Sequence, residues 1–485
     1  MKLLKCNDVD IKIKDKVLFH IDRLDIEQGE KIGLIGLNGS GKTTFINELE
    51  KLTNKNIKRY GLWTFQNQYQ KTQVCENLKY KSFWDIANLD TSFEKYSGGE
   101  KMRDALGHIF SSRADMYVFD EPTNNLDIEG VEKLKKMLKN SDSFILISHN
   151  RELLDELTNR TLVIYNNELI DFPDNYSKYK QWEAEDEKRQ WREYKNYENE
   201  KKRLKEAAKG KRSQAKRSSK KPKGKSSSEI KQMNFGSLGK SVGGKEKALE
   251  SQAKHIEKRI EQLEIKKKPK QIYNIRPEFY LTNPPKNHIV IQAQHLNLQF
   301  GNRILFDDLS FNLYRSEKVA LIGRNGSGKS TLLSLIEKHD KAIYMVPKIK
   351  IGFLKQNMKH LNYEKTVYEN LKSVSIQSET INRNILSRLG FDELALFKKT
   401  GILSGGEKIK LSLAMLCVSD VNMLILDEIT NFLDIQSIEV VEKLIKEYEG
   451  SVLFVSHDTR FIDNIATEIW KIEDKTIKIV KTYFN

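Results

Sequence analysis

Short apolar runs that lead into glycine-rich or acidic turns occur twice along this chain, in the same order. Three pairs share the pattern: Lys31–Gly36 with Lys318–Gly323, Met116–Asp120 with Met423–Asp427, and Ser143–Ser148 with Ser451–Ser456. Continuous apolar runs of this length are typical of strands buried on both faces. Because helical segments follow them, the pattern predicts an α/β layered domain with a largely parallel sheet.

The spacing of these landmarks indicates that the domain is duplicated. Lys42 and Lys329 are 287 residues apart, and His149 and His457 are 308 apart. A near-constant offset over many landmarks is the mark of an internal repeat. We therefore predict one domain at 1–171 and a second at 286–485, the first lacking about 20 residues.

The segment 172–285 between the two copies follows another pattern. Its second half carries a heptad stripe of apolar residues: Leu249, Ala253, Ile256, Ile260 and Leu263. Such a stripe needs an antiparallel partner helix, which we place at Tyr176–Lys221. The stretch 222–244 between them is rich in glycine and serine, and it is predicted to be the tip loop of a helical hairpin.

Positive charge is concentrated in the same segment. Residues 172–285 carry +15 of the net +16 of the whole chain, and Lys201–Lys225 has 13 basic residues against one acid. Unpaired charge is not buried in a core, so this segment faces water or a polyanion. On charge alone a solvated linker and a binding element stay equally open, while the basic balance favours nucleic acid or a membrane surface.

The cysteines and the distribution of apolar residues indicate the cellular compartment of the protein. Cys6, Cys75 and Cys417 stand far apart, which excludes a disulfide framework and fits a reducing cytosol. The N-terminus lacks a signal-peptide core, and no apolar run approaches the ~18 residues of a membrane span. We expect a soluble, cytoplasmic protein without a membrane segment.

Two phosphate loops carry the candidate chemistry. Residues 36–43 and 323–330 both match GxxxxGK[ST], each after an apolar strand and before a helix. The glycines allow backbone N–H groups to surround phosphate oxygens, the lysine reaches the β- and γ-phosphates, and the hydroxyl can bind Mg²⁺. The predicted nucleotide contacts are Gly36, Asn38, Gly39, Gly41, Lys42, Thr43 and Thr44, and in the second copy Gly323, Asn325, Gly326, Gly328, Lys329, Ser330 and Thr331.

Paired carboxylates end one strand of each copy. Asp120 and Glu121 follow the first, and Asp427 and Glu428 follow the second. This edge of an α/β sheet is where ligands bind. The aspartates are placed to hold Mg²⁺ and the glutamates to deprotonate the attacking water. His149 and His457, repeated in register after the next strand, are predicted to sense the γ-phosphate.

The tetrads at 97–100 (SGGE) and 404–407 (SGGE) complete the set. They resemble the signature motif of ATP-binding-cassette ATPases, in which two cassettes pair head to tail. That resemblance implies ATP and Mg²⁺ as cofactors, and two composite sites within one monomer. The first would comprise Lys42, Thr43, Gln66, Asp120, Glu121 and His149, closed by Ser404, Gly405 and Gly406. The second would comprise Lys329, Ser330, Gln356, Asp427, Glu428 and His457, closed by Ser97, Gly98 and Gly99.

Mg²⁺ would be held by Thr43, Gln66 and Asp120, and by Ser330, Gln356 and Asp427. Asp127 and Asp434 match the D-loop that crosses this interface.

The motifs also depart from the family pattern. Glu100 and Glu407 replace the usual glutamine, and Ile429 stands where the first copy has proline. Phe300 is placed to stack on adenine in the second copy, whereas the first has Ile13. We therefore expect the two sites to differ in nucleotide affinity.

Tandem cassettes with a charged linker resemble the ABC-F group, whose members act on ribosomes. The long linker and the short interval between Gln66 and Ser97 resemble the antibiotic-resistance proteins of the Vga/Msr type. That resemblance implies an ATPase whose ATP-bound form enters the ribosomal exit site. Its linker 172–285 would then contact rRNA near the peptidyl-transferase centre, and tRNA in addition. There it would displace a macrolide, lincosamide, streptogramin or pleuromutilin, and hydrolysis would release the protein.

Two other functions stay open at this point. One is a housekeeping ABC-F translation factor that acts on stalled or vacant ribosomes. The other is the ATPase subunit of a drug exporter with separate membrane subunits, which predicts an apolar groove for a coupling helix.

Overall fold

The structure is a computed structural model of the 485-residue chain. It describes residues 1–13, 15–52, 57–60, 79, 83–84, 98–111, 114–124, 126–218, 242–266, 268, 285–301, 303–355, 358 and 360–480. The chain divides into two compact units. One contains both cassettes and comprises Met1–Tyr179 with Ile275–Asn485, and the other is Lys180–Asn274. The predicted boundaries at 171/172 and 285/286 stay a proposal.

An eight-stranded sheet forms the first cassette. Its strands β1–β8 are Lys2–Ile13, Lys16–Glu27, Lys31–Gly36, Ile57–Tyr60, Met116–Asp120, Phe144–Ile147, Arg160–Tyr165 and Glu168–Phe172. The order is β1-β2-β8-β7-β3-β6-β5-β4, and the strands from β7 to β4 are parallel. The β1–β2 and β7–β8 pairs are antiparallel.

The second cassette repeats this parallel arrangement. Its strands β9–β17 are Ile289–Phe300, Arg303–Tyr314, Lys318–Gly323, Ile343–Met345, Ile351–Leu354, Met423–Asp427, Ser451–Val455, Glu468–Glu473 and Thr476–Val480. One sheet has the order β13-β14-β15-β11-β16-β17, and another has β10-β9-β12. The parallel strands β13-β14-β15-β11-β16 correspond in order to β4-β5-β6-β3-β7. The predicted duplication is confirmed.

The central strands have apolar neighbours on both faces. In β3, Ile32 and Leu34 lie in the hydrophobic cluster that includes helix α1 (Lys42–Lys51), whereas Ile35 lies in the cluster that includes α2 (Gly98–Phe110). Burial on both faces explains why these strands read as continuous apolar runs.

Helices follow the strands in both copies. The remaining helices of the described ranges are α3 (Ile128–Lys139), α4 (Arg151–Leu157), α5 (Tyr176–Ser218), α6 (Val242–Glu261), α7 (Lys329–Glu337), α8 (Val367–Val374), α9 (Glu379–Arg388), α10 (Gly405–Val418), α11 (Ile435–Glu447) and α12 (Thr459–Ile465). Within these ranges no helix is both long and apolar enough to cross a bilayer.

Helices α5 and α6 form the predicted hairpin. Arg212 pairs with Glu257 at 2.9 Å, and Lys266 lies 3.6 Å from Glu193, so the two arms run antiparallel. Ala253, in the middle of the predicted stripe, is fully buried. The antiparallel partner that the heptad pattern required is confirmed.

The tip loop is shorter at its C-terminal end than predicted. Helix α6 begins at Val242 and includes Gly243 and Gly244, which the sequence assigned to the loop at 222–244. A helical glycine costs about 1 kcal/mol relative to alanine, and the heptad stripe that follows outweighs this propensity. The preceding residues 219–241 lie outside the described part of the chain.

Candidate functional site

Each phosphate loop joins a central strand to the helix that follows it. Gly41, before α1, has φ 98°, and a Cβ there would lie 2.6 Å from Leu18 Cδ1. Gly328, before α7, has φ 106°, and a Cβ there would lie 2.7 Å from the Phe306 ring. Both the left-handed backbone and the close neighbour require glycine at these positions.

The loop lysines are held by the loops themselves. Lys42 Nζ donates to the carbonyl oxygens of Gly36 and Leu37 at 2.8 and 3.0 Å. Lys329 does the same in its own loop, at 2.7 and 3.0 Å. Burial lowers the pKa of both ammonium groups. The loops therefore present a half-buried Lys42 and a buried Lys329 where the phosphates of a nucleotide are predicted to bind.

A hydroxyl and a carboxylate meet at the end of each loop. Thr43 Oγ1 donates to Asp120 Oδ2 at 3.1 Å, and Ser330 hydrogen bonds with Asp427. Hydroxyl and carboxylate oxygens are ligands that Mg²⁺ accepts. In both cassettes the structure thus brings together two of the three predicted magnesium ligands.

The strand-ending glutamates have a strained backbone in both cassettes. Glu121 has φ 52° and Glu428 has φ 51°, in the left-handed region that side-chain-bearing residues rarely occupy. Such strain is concentrated at functional sites. His149 Nε2 lies 3.2 Å from Glu121 Oε1, and His457 Nε2 lies 3.4 Å from Glu428 Oε1. Each glutamate is thus positioned beside its histidine in the same way.

The electrostatics of the two glutamates differ. Burial, with a further contribution from the Asp120 charge, raises the pKa of Glu121 to about 8. Burial also acts to raise the pKa of Glu428, but His457 and Lys329 outweigh it and lower that pKa below its ordinary value. Burial thus favours the protonated form of Glu121, whereas His457 and Lys329 favour the ionised form of Glu428.

The D-loop aspartates cross between the cassettes reciprocally. Asp127 accepts a hydrogen bond from the backbone N–H of Asn325 at 3.0 Å, and Asp434 accepts one from the backbone N–H of Asn38 at 3.4 Å. The next residue, Ile435, belongs to a hydrophobic cluster formed mainly by the first cassette. The phosphate loop of each cassette is thus in contact with the D-loop of the other.

The signature residues lie at helix starts. Ser404 caps α10 through a capping box with Glu407, whose carboxylate accepts from the Ser404 N–H and Oγ at 2.8 Å each. Gly405 and Gly406 are the first residues of α10, and Gly98 and Gly99 begin α2. The capping box gives Glu407 a structural role at the position that usually holds glutamine.

Several predicted residues lie outside the described part of the chain. These are Gln66, Ser97 and Gln356, together with the side chain of Phe300. The closure of each site by the opposite signature, and the magnesium contacts of the glutamines, stay predictions.

A cleft of about 1010 Å³ opens beside the second phosphate loop. Its walls are residues 303–305, 323–327 and 471–475, with Asp127, Ile128, Glu129 and Glu132 of the first cassette. Phe300 ends β9 opposite Arg303, as Ile13 ends β1 opposite Lys16. The strand register thus supports the sequence alignment that places Phe300 and Ile13 at equivalent positions.

Some buried polar atoms at the two loops have no hydrogen-bond partner among the described residues. They are Ser40 Oγ, Ser327 Oγ and Asp427 Oδ1. Buried polar groups are nearly always paired in folded proteins. Together with the lysines and the hydroxyl–carboxylate pairs, these atoms fit a polyphosphate ligand and a hard cation such as Mg²⁺.

One pair of residues that sequence reasoning missed makes the composite sites unequal. Arg324, in the second phosphate loop, forms a bidentate ion pair with Glu129 of the first cassette at 2.8 and 2.9 Å. The equivalent positions at the other site hold Leu37 and Gln436. An internal repeat reveals only the residues that both copies share, so a pair that is present at one site alone gives no signal in the sequence.

A second missed pair is buried between the cassettes. Arg151, 5% exposed, forms an ion pair with Glu442, and Asp458 lies 3.8 Å from the same guanidinium. In the second copy Thr459 takes the place of Arg151. Arg151 lies two positions after His149, and this closeness to a predicted site residue is the signal that the sequence offers for it.

Comparison with known proteins agrees with these sites. The ABC transporter family model matches residues 306–431. The erythromycin resistance ATP-binding protein MsrA of Staphylococcus epidermidis is 35% identical over 500 residues, covering 98% of each chain. The ribosome protection protein VmlR of Bacillus subtilis (strain 168) is 30% identical over 498 residues, covering 98% of this chain and 88% of that one.

Among solved structures, the archaeal ribosome recycling factor aABCE1 aligns with 93% of this chain and 85% of its own. The TM-score is 0.62 at 18% identity, which shows a shared fold. With these relatives and two complete phosphate loops, the chain is an enzyme that binds and hydrolyses ATP. It belongs to the ABC-F subfamily of ATP-binding-cassette ATPases, of the Vga/Msr-like antibiotic-resistance type.

Proposed function

We propose that this chain binds the bacterial ribosome in its ATP-bound form and protects it from drugs at the peptidyl-transferase centre or exit tunnel. The observation that carries the proposal is one chain with two reciprocally contacting nucleotide sites and one basic helical hairpin. The names of two full-length relatives, one for erythromycin resistance and one for ribosome protection, support the choice of target.

The nucleotide chemistry would be divided among residues as follows. Lys42 and Lys329 would neutralise the phosphates of ATP. Glu121 and Glu428 would orient and deprotonate the attacking water, with His149 or His457 beside each to position it and the γ-phosphate.

Each hydroxyl–carboxylate pair would hold Mg²⁺, whose chemistry when bound would be to offset the negative charge of the phosphates. Among the described residues no group of three His, Cys, Asp or Glu side chains could hold a metal ion by itself. Thr43 with Asp120, and Ser330 with Asp427, would therefore hold it together with the phosphates. The predicted contributions of Gln66 and Gln356 belong to the same proposal.

The linker supplies the affinity for RNA in this proposal. Helix α5 has 43 residues and would extend about 65 Å at 1.5 Å per residue. Lysines and arginines along it would neutralise rRNA phosphates and release counterions, so that binding falls steeply with salt. The residues beyond Ser218, including Phe235 and Leu238, would contact unpaired bases near the drug site.

One observation favours a second candidate, the ATPase subunit of an exporter. Leu394, Phe397 and Ile402, just before the second signature, are 79, 68 and 74% exposed. Exposed apolar residues in a group are typical of contact sites for another protein. This candidate leaves the +15 charge of 172–285 without a role.

The test is drug tolerance in a susceptible bacterium that expresses the protein. We expect raised tolerance to at least one of the four drug classes, loss of that tolerance in Phe235→Ala and Leu238→Ala, and unchanged ATP turnover in both. Ribosome binding without tolerance to any class would favour the translation factor. Co-purification with membranes rather than ribosomes at physiological salt would favour the exporter.

A further inference from the structure

The first turn of the linker helix is capped by the first cassette. Asp155, in α4, accepts hydrogen bonds from the Ser177 N–H and Oγ, both at 2.6 Å. The Asn175 side chain donates to the Asp155 carbonyl at 3.3 Å. The N–H groups of a helix's first turn have no intrahelical acceptor, and a carboxylate there also interacts favourably with the helix dipole. Asp155 therefore stabilises the start of α5 together with the Asn175 side chain, which accepts from the Lys178 N–H at 3.2 Å.

The second cassette bonds to the same turn. Arg460, in α12, forms an ion pair with the Asp155 oxygen that accepts from Ser177 Oγ. The hydroxyl of Tyr176 donates to Glu439 Oε1, in α11, at 3.3 Å. Asp155 has a 12% exposed side chain and Tyr176 is 3% exposed. The Arg460 side chain is 37% exposed, so water screens the ion pair in part, whereas the Asp155 carboxylate and the Tyr176 ring are shielded.

Hydrophobic packing connects the same turn to a nucleotide site. Tyr176 and Tyr179 share a hydrophobic cluster with Ile435 of the second cassette. Ile435 follows Asp434, whose carboxylate contacts the phosphate loop at Asn38. Any movement of the second cassette's D-loop relative to the first cassette therefore acts on the packing around the start of α5.

In the part of the chain that the structure describes, the first copy does not offer the same ion pair. The position equivalent to Arg460 in the first copy holds Glu152, which accepts from Lys135 and Thr459 instead. Because α5 follows the first cassette and not the second, these contacts are needed only where α5 begins.

We propose that Asp155, Tyr176, Ser177, Glu439 and Arg460 form a joint that couples closure of the nucleotide sites to the linker helix. The inference rests on the proposed function in one respect, that the ribosome is the partner which acts on the linker. Coupling is reciprocal: if closure repositions the linker, then binding of the linker changes the free energy of closure. The joint residues act by position, away from the reacting atoms.

The test uses Arg460→Met and Tyr176→Phe in the full chain, separately and together. Both keep most of the side-chain volume and remove the bonds to the opposite cassette that are described above. The matched control is Arg383→Met, which removes an ion pair of 2.9 Å with Glu379 inside α9. We expect basal ATP turnover within twofold of the unsubstituted chain in all variants. We expect stimulation by bacterial ribosomes to fall at least fivefold in the double variant and to be unchanged in the control.

A second readout does not depend on the ribosome. Amide hydrogen exchange of Ser177–Trp182 is compared in ATP and ADP, in a Glu121→Gln/Glu428→Gln background. We expect slower exchange in ATP than in ADP, and we expect the double joint variant to lose that difference. The inference is overturned if the exchange difference between ATP and ADP is the same with and without the joint bonds. It is also overturned if the chain with intact joint bonds shows no such difference. Absence of ribosome stimulation in the unsubstituted chain, with the exchange difference intact, counts against the proposed function instead.

Discussion

The Asp127 carboxylate of the first cassette accepts a hydrogen bond from the backbone N–H of Asn325 in the second phosphate loop, at 3.0 Å. Its other oxygen accepts from Gly130 N at 3.0 Å and caps α3. One side chain thus ties the start of a helix in one cassette to the nucleotide loop of the other. Asp434 repeats the arrangement.

Asp127→Asn tests the role of this contact. An amide has one acceptor oxygen, so it keeps the cap or the bond to Asn325, but not both. We expect ATP turnover to fall roughly tenfold, as for loss of one hydrogen bond to a charged group, about 1.5 kcal/mol. Asp392→Asn is the matched control, because Asp392 accepts from Ala395 N at 2.7 Å within one cassette. Equal turnover in both variants would contradict the account.

The two sites are expected to differ in pH dependence. In Glu428→Gln, turnover depends on Glu121, whose pKa is raised to about 8. A base must be deprotonated to act, so the rate should fall about tenfold per pH unit below that pKa. In Glu121→Gln, turnover depends on Glu428, whose pKa is lowered, so the rate should stay flat down to neutral pH and fall only near pH 6, where Asp427 of the same site takes up a proton. Single-turnover rates from pH 6 to 9 provide the measurement. Superimposable profiles would refute this assignment.

Arg151→Met tests the buried pair between the cassettes. Removing Arg151 leaves the buried carboxylates of Glu442 and Asp458 without this cation. Loss of one partner of a buried ion pair lowers the free energy of unfolding by about 3–5 kcal/mol. Arg383→Met removes an exposed pair and should lose less than about 1 kcal/mol. Urea unfolding of the two variants gives the comparison. A similar loss in both would mean that burial of Arg151 has no energetic consequence.

Gly210→Ala should stabilise the linker helix. Gly210 lies inside α5, and a Cβ there would meet nothing within 4 Å. Alanine is about 1 kcal/mol better than glycine in a helix interior. Slower hydrogen exchange around residue 210 is the expected result, and faster exchange would contradict the described helix. Gly41→Ala should instead lose ATP binding, because φ is 98° at this position and the added Cβ would lie 2.6 Å from Leu18 Cδ1.

The cassettes were largely predictable from the sequence because their signals are local and occur twice. The strands Lys31–Gly36 and Met423–Asp427 have the predicted bounds, since apolar runs buried on both faces are hard to mistake. The third run, predicted at Ser143–Ser148, forms a strand only over Phe144–Ile147.

The contacts between the cassettes were harder to predict for a physical reason. Arg151, Arg324 and Arg460 bond to residues that are distant in sequence, and each has a different residue at its equivalent position. Neither periodicity nor repetition reports a pair of this kind. Only the three-dimensional structure brings them together.

Sedimentation with bacterial ribosomes tests the central claim most directly. In Glu121→Gln/Glu428→Gln both sites should close on ATP without hydrolysing it, with Glu121→Gln/Glu428→Gln/Lys42→Ala/Lys329→Ala as the control that does not bind ATP. The account predicts that the doubly substituted chain sediments with ribosomes in ATP, that it stays in the supernatant in ADP, and that binding weakens steeply with salt. Absence of ribosome binding in ATP, or equal binding in ATP and ADP, would contradict it.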